Sequence, residues 1–503
     1  MAETRLEEIR KIRLGKAQEL RDMGINPYPP QAIKDHPNKY IVDSFDQFEG
    51  KTVTLTGRLI SWREHGQIAF GQLRDQSGDI QVFVQQDKLE DTNPENGNLG
   101  FSDLNLMDIG DFLQVTGEIT KTTRGEISIT PTKVIIIGKS IRPLPEKWHG
   151  LTDTEERFRK RYLDIMLNPE IRDRFLMRTK LVSGIRSYLD DLGFVEVETP
   201  VLQPLYGGAN AKPFTTHLNA LNAEMYLRIA DELYLKRLLV AGYEKVYEIA
   251  KDFRNEGMDQ THNPEFTMIE YYEAFADYQR VMDVTEGLFK YLAEQTHGST
   301  QIEVGEHQVD LGGKWPRITM IDAIKERLNI DVENMSEDEL VGFAKENNIG
   351  LLGKETKGQL IFIIFDDLVT KQLIEPTWII DYPKDISPLS KDHRSKEGWV
   401  ERFEGYIGGK EICDGWSELT DPIEQRQRFE SDMKAVREDK EEAQRVDEDF
   451  LEAMEYGMPP IGGIGIGIDR LTMFFTNIWS IKEVIIYPTM KSSSLKSENR
   501  KDR

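Results

Sequence analysis

The sequence has almost no cysteine: Cys413 is the only one among 503 residues. A single cysteine cannot form an internal disulfide, and it excludes structural zinc sites that are built on several cysteines. The sequence also has no run of about 18 apolar residues, the length that a membrane-spanning helix needs. Residues 1–23 alternate acids and bases and lack the apolar centre of a secretory signal. These absences predict a protein of the reducing cytoplasm.

Composition and charge narrow the class of protein only in part. Hydrophobic residues make up 39% and charged residues 30% of the chain, which is typical of a soluble protein, and the length predicts two or three domains. The net charge of −24 would argue against a nucleic-acid partner if it were evenly spread. Because phosphate contacts depend on the local field, clustered basic residues can still bind nucleic acid.

Residues 1–25 carry a narrow apolar stripe among Glu, Lys and Arg, which predicts a helix. The Gly- and Pro-rich residues 24–30 end it. Two interpretations of its polar face stay open: a solvated helix that packs on its neighbour, or a helix that also contacts RNA. The second would use Arg10, Lys11, Arg13 and Lys16.

Between about residues 50 and 140 apolar and polar residues alternate, a pattern typical of half-buried strands. Five short strands are predicted there, at residues 53–59, 68–73, 80–84, 112–117 and 127–129. Turn-forming residues, such as those at 75–79, separate them. Five strands in so short a segment favour a small closed barrel of the oligonucleotide-binding type.

The rest of the chain mixes helices with strands rich in glycine and aromatic residues, so the fold class predicted for the whole chain is α+β. Residues 141–145 are typical of a linker between the two parts. Helices are predicted within 320–375 and in the acidic segment 424–456. The polar tail 491–503 is predicted to be disordered.

Three segments of this second part carry candidate chemistry. Residues 193–200 predict a helix–Gly–strand–Pro corner, which is a weak signal by itself. Residues 247–270 predict a hairpin with aromatics, acids, a histidine and an arginine whose fork suits a carboxylate or phosphate. An ordinary charged surface hairpin is the alternative. Residues 462–471 alternate glycine with isoleucine, which allows a flat ligand to approach the backbone, although a strand packed on a helix explains the pattern equally well.

Together these segments resemble the three signature motifs of class II aminoacyl-tRNA synthetases. The chain has neither signature of the class I enzymes, nor the phosphate-binding loop of common ATPases. The resemblance covers nearly the whole chain. It narrows to the bacterial, lysine-specific branch of the family through residues 207–214, 226–237 and 408–419.

This resemblance implies an ATP-dependent ligase that converts L-lysine to lysyl-adenylate and transfers it to the 3′ end of tRNA(Lys). It also implies a helical extension at 1–45, an anticodon-binding, five-stranded barrel at 46–145 and a class II catalytic domain at 150–490. The catalytic domain is expected to have an antiparallel sheet flanked by helices, with a helical insertion near 300–390. Members of the class form homodimers through the segment that corresponds to 193–200.

Lysine binding is assigned, by the same resemblance, to residues that are mostly acidic. Glu418 and Tyr272 match the positions that hold the side-chain ammonium, while Gly208, Glu232 and Glu270 match those around the α-amino group. A cationic substrate needs such carboxylates, because a buried charge must be paired. Considered as structure alone, the same acids would be surface salt-bridge partners.

Asp414, also matched to the lysine site, departs from the family, which usually has an asparagine there. A carboxylate at this position would repel the carboxylate of the substrate unless Arg254 or a metal offsets it. Cys413, beside it, is expected to be a small buried residue.

The nucleotide site follows from the resemblance as well. Its matched residues are Arg254, Glu256, His262, Phe266, Glu404 and Arg470. Arg254 and Arg470 are the expected catalytic residues: the first bridges the lysine carboxylate and the α-phosphate, and the second holds the distal phosphate. Phe266 is expected to stack on adenine. Glu404 and Glu411 match the carboxylates that bind metal, and hard oxygen ligands beside phosphates suit Mg²⁺.

In the barrel, Arg63, Phe70 and Gln81 match the anticodon-reading positions of the family. Phe70 would provide a stacking platform and Gln81 would bind a uracil edge, which are common modes of reading single-stranded RNA. A lone phenylalanine in a strand is more often part of a core.

Three other functions stay open at this point. A related class II enzyme could be specific for aspartate or asparagine, although those substrates need a cation or an amide where this chain offers carboxylates. A paralogue could transfer lysine to a protein, but such paralogues resemble only the catalytic half. An inactive binding protein would not need the intact Arg254, Glu404, Glu411 and Arg470.

Overall fold

The computed structural model describes residues 2–145, 153–434 and 445–491. The chain divides into two compact units, Met1–Gly150 and Leu151–Arg503. Of the polar tail predicted at 491–503, all but Lys491 lies outside the described residues, as does the middle of the acidic segment, residues 435–444.

The first unit is a closed barrel with one long helix and several short ones. Its strands are hydrogen-bonded in the order β1-β2-β3-β5-β4, which confirms the predicted barrel. The elements are α1 (Ala2–Asp22), α2 (Asn38–Asp43), α3 (Phe45–Phe48), β1 (Thr52–His65), β2 (Ile68–Arg74), β3 (Asp79–Gln85), a 3-10 helix (Phe101–Leu106), β4 (Phe112–Lys121) and β5 (Ile127–Gly138).

The barrel closes around the apolar residues that alternate along its strands. Leu55, Val82 and Val115 are at most 1% exposed and share one core, whereas their neighbours in sequence are less buried on the outside. The strands extend beyond the predicted bounds because residues such as those at 60–65 continue the backbone pairing after the apolar alternation has stopped.

The N-terminal helix is α1, and two of its basic residues, Arg13 and Lys16, contact other parts of the first unit. Arg13 is 8% exposed and donates hydrogen bonds to the backbone oxygens of Ser140 and Ile109, at 3.0 and 3.1 Å. Lys16 forms an ion pair with Asp108 at 3.0 Å. These contacts favour the interpretation of α1 as a helix packed on its neighbours.

The second unit contains the larger sheet and most of the helices. Its elements are α4 (Thr154–Arg159), α5 (Arg161–Leu167), α6 (Pro169–Asp191), β6 (Val195–Glu196), β7 (Leu202–Gln203), β8 (Phe214–Leu218), β9 (Ala223–Leu227), α7 (Glu232–Val240), β10 (Lys245–Phe253), β11 (Glu265–Ala274), α8 (Tyr278–His297), β12 (Gln301–Val304), β13 (His307–Asp310), β14 (Arg317–Thr319), α9 (Met320–Leu328), α10 (Glu337–Glu346), α11 (Lys357–Leu368), a 3-10 helix (Thr370–Gln372), β15 (Thr377–Pro383), a 3-10 helix (Lys384–Ile386), β16 (Trp399–Ile407), β17 (Lys410–Ser417), α12 (Pro422–Asp432), α13 (Glu448–Glu455), β18 (Ile461–Gly467), α14 (Ile468–Phe475) and α15 (Ile481–Val484).

The main sheet of this unit has the order β14-β15-β16-β17-β18-β11-β10-β6. Its pairs from β15 to β10 are antiparallel, and the two outermost pairs are parallel. Helices α6 and α8 pack together, and α8 contacts β16, β17 and β18. Ile464 and Ile466 of β18 are buried in one core with Val281 and Leu288 of α8. This arrangement confirms the predicted α+β fold with an antiparallel sheet flanked by helices.

The interval 300–390 contains strands as well as the helices predicted within 320–375. Helices α9, α10 and α11 form a separate core with residues of β15 and β16. The flanking strands β14 and β15 are part of the main sheet, so the helical part of this interval lies between them. Short three-residue and seven-residue strands beside strongly helical segments are hard to separate by periodicity alone.

Two further findings concern the whole described chain. Cys413 is a free, buried thiol, as expected from its surroundings. Among the described residues, no helix combines the length and the apolar character that crossing a membrane requires.

Candidate active site

A cavity of about 760 Å³ lies in the second unit. It gathers all but one of the site residues that the sequence predicts for this unit. Those that line it are Gly208, Glu232, Arg254, Glu256, His262, Phe266, Glu270, Tyr272, Glu404, Glu411, Asp414 and Arg470. The exception is Glu418, which is 1% exposed. Segments that are far apart in sequence therefore form one site.

The glycine-rich strand β18 provides the floor of the cavity. Gly463, Gly465 and Gly467 lie opposite Tyr272, Glu270 and Met268 in the register with β11, and all three line the cavity. The isoleucines between them point to the other face of the sheet, into the core with α8. A Cβ on Gly463 would lie 2.3 Å from a Tyr272 ring carbon, so glycine is required there for close packing.

Three arginines lie among the lining residues, and two of them, Arg254 and Arg470, were predicted from the sequence. The guanidinium of Arg254, just after β10, lies 5.1 Å from the centre of the Phe266 ring. Arg470, at the start of α14, donates a hydrogen bond to His262 Nε2 at 3.1 Å and forms an ion pair with Glu411 at 3.2 Å. A flat ring and two permanent cations suit a nucleotide with its phosphates.

The loop between β10 and β11 orients two further lining residues. His262 Nδ1 lies 2.8 Å from Asp259 Oδ2, which is consistent with a proton on Nδ1 and leaves Nε2 as the acceptor from Arg470. Glu256 Oε1 accepts a hydrogen bond from the backbone N–H of Lys212 at 3.3 Å. Backbone hydrogen bonds first, and then His262, hold the pKa of Asp259 well below its usual range although desolvation opposes them.

Carboxylates line another part of the wall. The ammonium of Lys236 lies between the carboxylates of Glu232 and Glu418 and forms an ion pair with each. Glu418 Oε2 also accepts a hydrogen bond from Trp416 Nε1 at 2.7 Å. Glu418 Oε1 is buried and has no hydrogen-bond partner among the described residues. A Cβ on Gly463 would lie 2.5 Å from this oxygen. Glu418 Oε1 therefore lies next to β18, the floor of the cavity.

Burial dominates the ionisation of these acids. It raises the pKa of Glu418 to about 8 against the opposing effect of Lys236, and it raises the pKa of Glu270 to about 8 together with the nearby Glu232. Tyr272 donates a hydrogen bond to Glu270 Oε2 at 2.8 Å. Burial by itself would lower the pKa of Lys236, but Glu232 and Glu418 raise it above its ordinary value. The single ammonium of Lys236 is therefore well paired, whereas it does not fully offset the effect of burial on the Glu418 carboxylate.

Asp414 is neutralised by a residue that the sequence did not point to. Arg402 donates two hydrogen bonds to the Asp414 carboxylate, both at 2.9 Å, and a third to Glu404 Oε1 at 2.7 Å. Glu404 Oε2 accepts from the Tyr406 hydroxyl at 2.5 Å. Burial raises the pKa of Asp414, whereas Arg402 lowers it. Arg402 thus provides a cation that offsets the charge of Asp414.

Lys236 and Arg402 were both missed at the sequence level, although each leaves a local signal. Lys236 follows Glu232 by four residues in a helix, a spacing that brings side chains together. Arg402 precedes Glu404 by two residues in a strand, so both point to one face. Neither spacing predicts the distant partners Glu418 and Asp414.

The three residues predicted to contact RNA lie on one outward face of the barrel. Phe70 of β2 is half-buried, and its ring stacks on Phe83 of β3, with centroids 4.8 Å apart and an interplanar angle of 9°. Arg63 of β1 is exposed and directly opposite Phe70. Gln81 lies two residues before Phe83, and its Oε1 accepts a hydrogen bond from Ser128 at 2.8 Å. Phe83 was not predicted from the sequence.

Comparison with known proteins agrees with both units. Residues 153–491 match the family model of class II tRNA synthetases (D, K and N), and residues 53–137 match that of the OB-fold nucleic acid binding domain. The chain is 47% identical over 488 residues to the lysine–tRNA ligase of Thermoanaerobacter sp. (strain X514), covering 97% of this chain and 96% of that protein. It is 46% identical over 495 residues to the lysine–tRNA ligase of Clostridium perfringens (strain ATCC 13124), covering 97% of each.

Proposed function

We propose that this chain, which belongs to the family of class II tRNA synthetases for aspartate, lysine and asparagine, is a lysine–tRNA ligase. It activates L-lysine with ATP to lysyl-adenylate and diphosphate, and then transfers the lysyl group to the 3′ end of tRNA(Lys), which releases AMP. The observation that carries the substrate assignment is Glu418 Oε1, a buried oxygen with no hydrogen-bond partner among the described residues.

The carboxylates of Glu232, Glu270 and Glu418 support lysine as the substrate. An ammonium group is the partner that a buried carboxylate oxygen without a hydrogen bond lacks. We assign the ε-ammonium of lysine to Glu418 and Tyr272, and the α-ammonium to Gly208, Glu232 and Glu270. Lys236 and Trp416 hold Glu418 through its other oxygen, which orients the unpaired one. Asp414, paired with Arg402, borders this site as a neutralised group.

Arg254 and Arg470 perform the electrostatic part of the reaction. In the first step the lysine carboxylate attacks the α-phosphorus of ATP and diphosphate leaves. Arg254 neutralises the carboxylate and the α-phosphate as they approach, and Arg470 neutralises the distal phosphate. Phe266 stacks on adenine, while Glu256 and His262 border the nucleotide. In the second step a ribose hydroxyl of the tRNA attacks the lysyl carbonyl carbon, and AMP leaves.

Glu404 and Glu411 fit the Mg²⁺ ion that ATP chemistry requires. They come from the adjacent strands β16 and β17 and line the same cavity, and Glu411 is close enough to add to the effect of burial on the pKa of Glu404. Two hard carboxylates beside a phosphate site suit Mg²⁺, which keeps part of its water shell. When bound, the ion neutralises phosphate oxygens.

The outward face that carries Arg63, Phe70 and Gln81 is assigned to the anticodon. The parallel stack of Phe70 on Phe83 supports this role, because a pair of half-exposed rings offers a platform for an unstacked base. Gln81 is held by Ser128 and can present its amide to a uracil edge. We further propose that the protein acts in the cytoplasm as a homodimer that forms through the segment 193–200.

Amino-acid-dependent exchange of diphosphate into ATP tests the substrate assignment. Lysine should support exchange, whereas aspartate and asparagine should not, because neither has a side-chain ammonium and both would leave the buried Glu418 oxygen unpaired. Exchange with aspartate or asparagine in place of lysine would overturn the assignment.

Transfer to a protein is the second function to test. The complete barrel disfavours it, since protein-modifying relatives of this kind resemble only the catalytic half. Charging assays with tRNA and with candidate proteins, each supplied with labelled lysine, separate the two: label should accumulate on tRNA. Label on protein alone would favour the alternative.

A further inference from the structure

Three buried carboxylates meet at the start of α7, beside the residues assigned to lysine binding. They belong to Asp231, Asp252 and Glu270, and one oxygen of each lies within 4.8 Å of the others. Asp231 and Asp252 are 0% exposed, and Glu270 is 6% exposed. Asp231 directly precedes α7, Asp252 lies near the end of β10 and Glu270 is in β11. The three come from separate elements, so the main sheet and α7 together bring them into contact.

The carboxylate oxygens of the two aspartates lack hydrogen-bond partners outside the cluster. All four oxygens of Asp231 and Asp252 are buried, and none meets the geometry of a hydrogen bond to another described residue; within the cluster, Asp231 lies close enough to Glu270 for the two carboxyl groups to interact. Asp231 occupies the N-cap position of α7, yet its side chain does not cap the helix. An aspartate at an N-cap normally accepts a hydrogen bond from the first turn. Its carboxylate is directed inward instead, toward Glu270.

Negative charge exceeds positive charge around these groups. The nearest cation is Arg228, whose Nε lies 3.3 Å from Asp252, but Arg228 also pairs with Glu248 at 2.7 Å. Glu248 lies directly opposite Glu270 in the register of β10 and β11. Arg254 also lowers the pKa of Asp252, but less than Arg228 does. Several buried carboxylates thus share one guanidinium in direct contact, and such an excess is costly without a further cation.

We propose that Asp231, Asp252 and Glu270 bind a hard divalent cation of the size of Mn²⁺ or Ca²⁺. Carboxylate oxygens are the ligands that such ions prefer, and the 4.8 Å limit on their separation fits opposite ligands at bond lengths of about 2.3–2.6 Å. The site lies on α7, β10 and β11, whereas the ATP-associated Mg²⁺ is assigned to β16 and β17. The cation neutralises the aspartates and fixes the position of Glu270, which is also held by Tyr272.

Metal binding by the full-length protein tests the site independently of lysylation, because no ATP, lysine or tRNA is added. The protein is stripped with a chelator and titrated with Mn²⁺, and free Mn²⁺ is followed by electron paramagnetic resonance. We expect one tightly bound Mn²⁺ per chain, displaced by Ca²⁺. Asp231→Asn and Asp252→Asn should each weaken binding by about 100-fold, since each removes one charged ligand.

Glu411→Gln is the matched control, because it removes a carboxylate of the nucleotide-side site and should leave this binding unchanged. Circular dichroism checks that each variant is folded. If either asparagine variant fails to fold, Mn²⁺-soaked crystals of the unmodified protein replace it. An anomalous peak among the three carboxylates supports the site, and its absence overturns it. Wild-type protein that binds no Mn²⁺ or Ca²⁺, or folded asparagine variants that bind like wild type, would also overturn it.

Discussion

At the scale of the residue, Arg402 explains how the cavity tolerates Asp414. Its guanidinium donates to both oxygens of Asp414 and one of Glu404, so one cation pairs with a buried acid, Glu404, and a half-buried one, Asp414. An asparagine at position 414 would need no such partner. A carboxylate at position 414, where the family usually has an amide, is therefore compatible with lysine binding only while Arg402 is in place.

Arg402→Met should lower kcat/KM for lysine in the exchange assay by about 100-fold to 5,000-fold, because it removes the cation beside the buried Glu404, and breaking a buried pair on one side costs about 3–5 kcal/mol. The double variant Arg402→Met with Asp414→Asn should recover part of the loss, since the unpaired carboxylate is then removed.

Arg426→Met is the matched control, because Arg426 forms an exposed ion pair with Glu448 at 2.6 Å, and exposed pairs contribute little. Unchanged kinetics of Arg402→Met, or a double variant as impaired as the single one, would contradict this account of Asp414.

Glu418 makes lysine binding depend on pH. Burial raises the pKa of Glu418 to about 8, so at pH 7 the ligand-free carboxyl is mostly protonated, whereas the lysine ammonium needs the ionised form. The KM for lysine should fall as pH rises from 6.5 to 8.5, by up to about tenfold per pH unit below the pKa. Steady-state exchange kinetics at a series of pH values measure this.

Glu418→Gln provides the comparison for the pH series, because an amide has no proton to lose in this range. The KM of this variant should be higher and nearly flat between pH 6.5 and 8.5. A KM that rises with pH in the wild-type protein, or an equal slope in the variant, would show that another group controls binding.

At the scale of the element, β18 combines two functions in alternate residues. Its isoleucines belong to the core with α8, and its glycines leave space for the cavity. Gly463 and Gly467, the first and last of its three cavity-lining glycines, differ in their surroundings. A Cβ on Gly463 would collide with Tyr272 and Glu418, but on Gly467 its nearest neighbour would be an Arg470 side-chain atom at 3.8 Å.

Gly463→Ala should raise the KM for lysine by about tenfold to 100-fold, because the added methyl group displaces the two side chains assigned to the ε-ammonium. The KM for ATP should change much less. Gly467→Ala is the control and should leave both values near wild type in the same exchange assay. Equal effects of the two alanines on lysine would argue against the assigned position of the ε-ammonium.

The stacked rings of Phe70 and Phe83 should affect the charging of tRNA but not the activation of lysine. Phe70→Ala should reduce kcat/KM for tRNA charging by about fivefold to 100-fold, since base stacking on an aromatic ring contributes about 1–3 kcal/mol. Lysine-dependent exchange needs no tRNA and should stay unchanged. Phe112→Ala, which removes an exposed ring on β4 of the same barrel, should affect neither assay. Loss of exchange in Phe70→Ala would instead indicate a structural role.

At the scale of the whole molecule, each unit has a hydrophobic core of its own. The core of the first is drawn from residues 20–136, and the largest core of the second from residues 181–475. The chemistry assigned to lysine and ATP lies wholly in the second unit. Activation and anticodon recognition are thus assigned to separate folding units.

A fragment of residues 153–503 should therefore retain lysine-dependent exchange within about threefold of the full chain, while its charging of tRNA falls by more than about 100-fold. Exchange and charging assays on the fragment, with circular dichroism to check folding, measure both. A folded fragment without exchange activity would show that the second unit needs the first for catalysis.

Much of this architecture could be predicted from periodicity. The alternation between residues 50 and 140 predicted five strands and a barrel, and the helices within 320–375 were found as α9, α10 and α11. The short strands β12 to β15 were not predicted, because three to seven residues carry too little periodicity beside helical segments. Site residues were identified where they lie within contiguous motifs, as Arg254, Glu270 and Arg470 do.

The sequence by itself determined which residues face inward, where glycine lets a strand approach a ligand, and to which family the motifs belong. Those properties depend on local geometry: the period of a strand or helix and the motif itself. Only the tertiary structure decided that Lys236 pairs with Glu418, that Arg402 pairs with Asp414, that Phe83 stacks on Phe70, and that Asp231 and Asp252 meet Glu270. These pairings depend on sheet order and register, which bring residues from distant segments together and which no local pattern encodes.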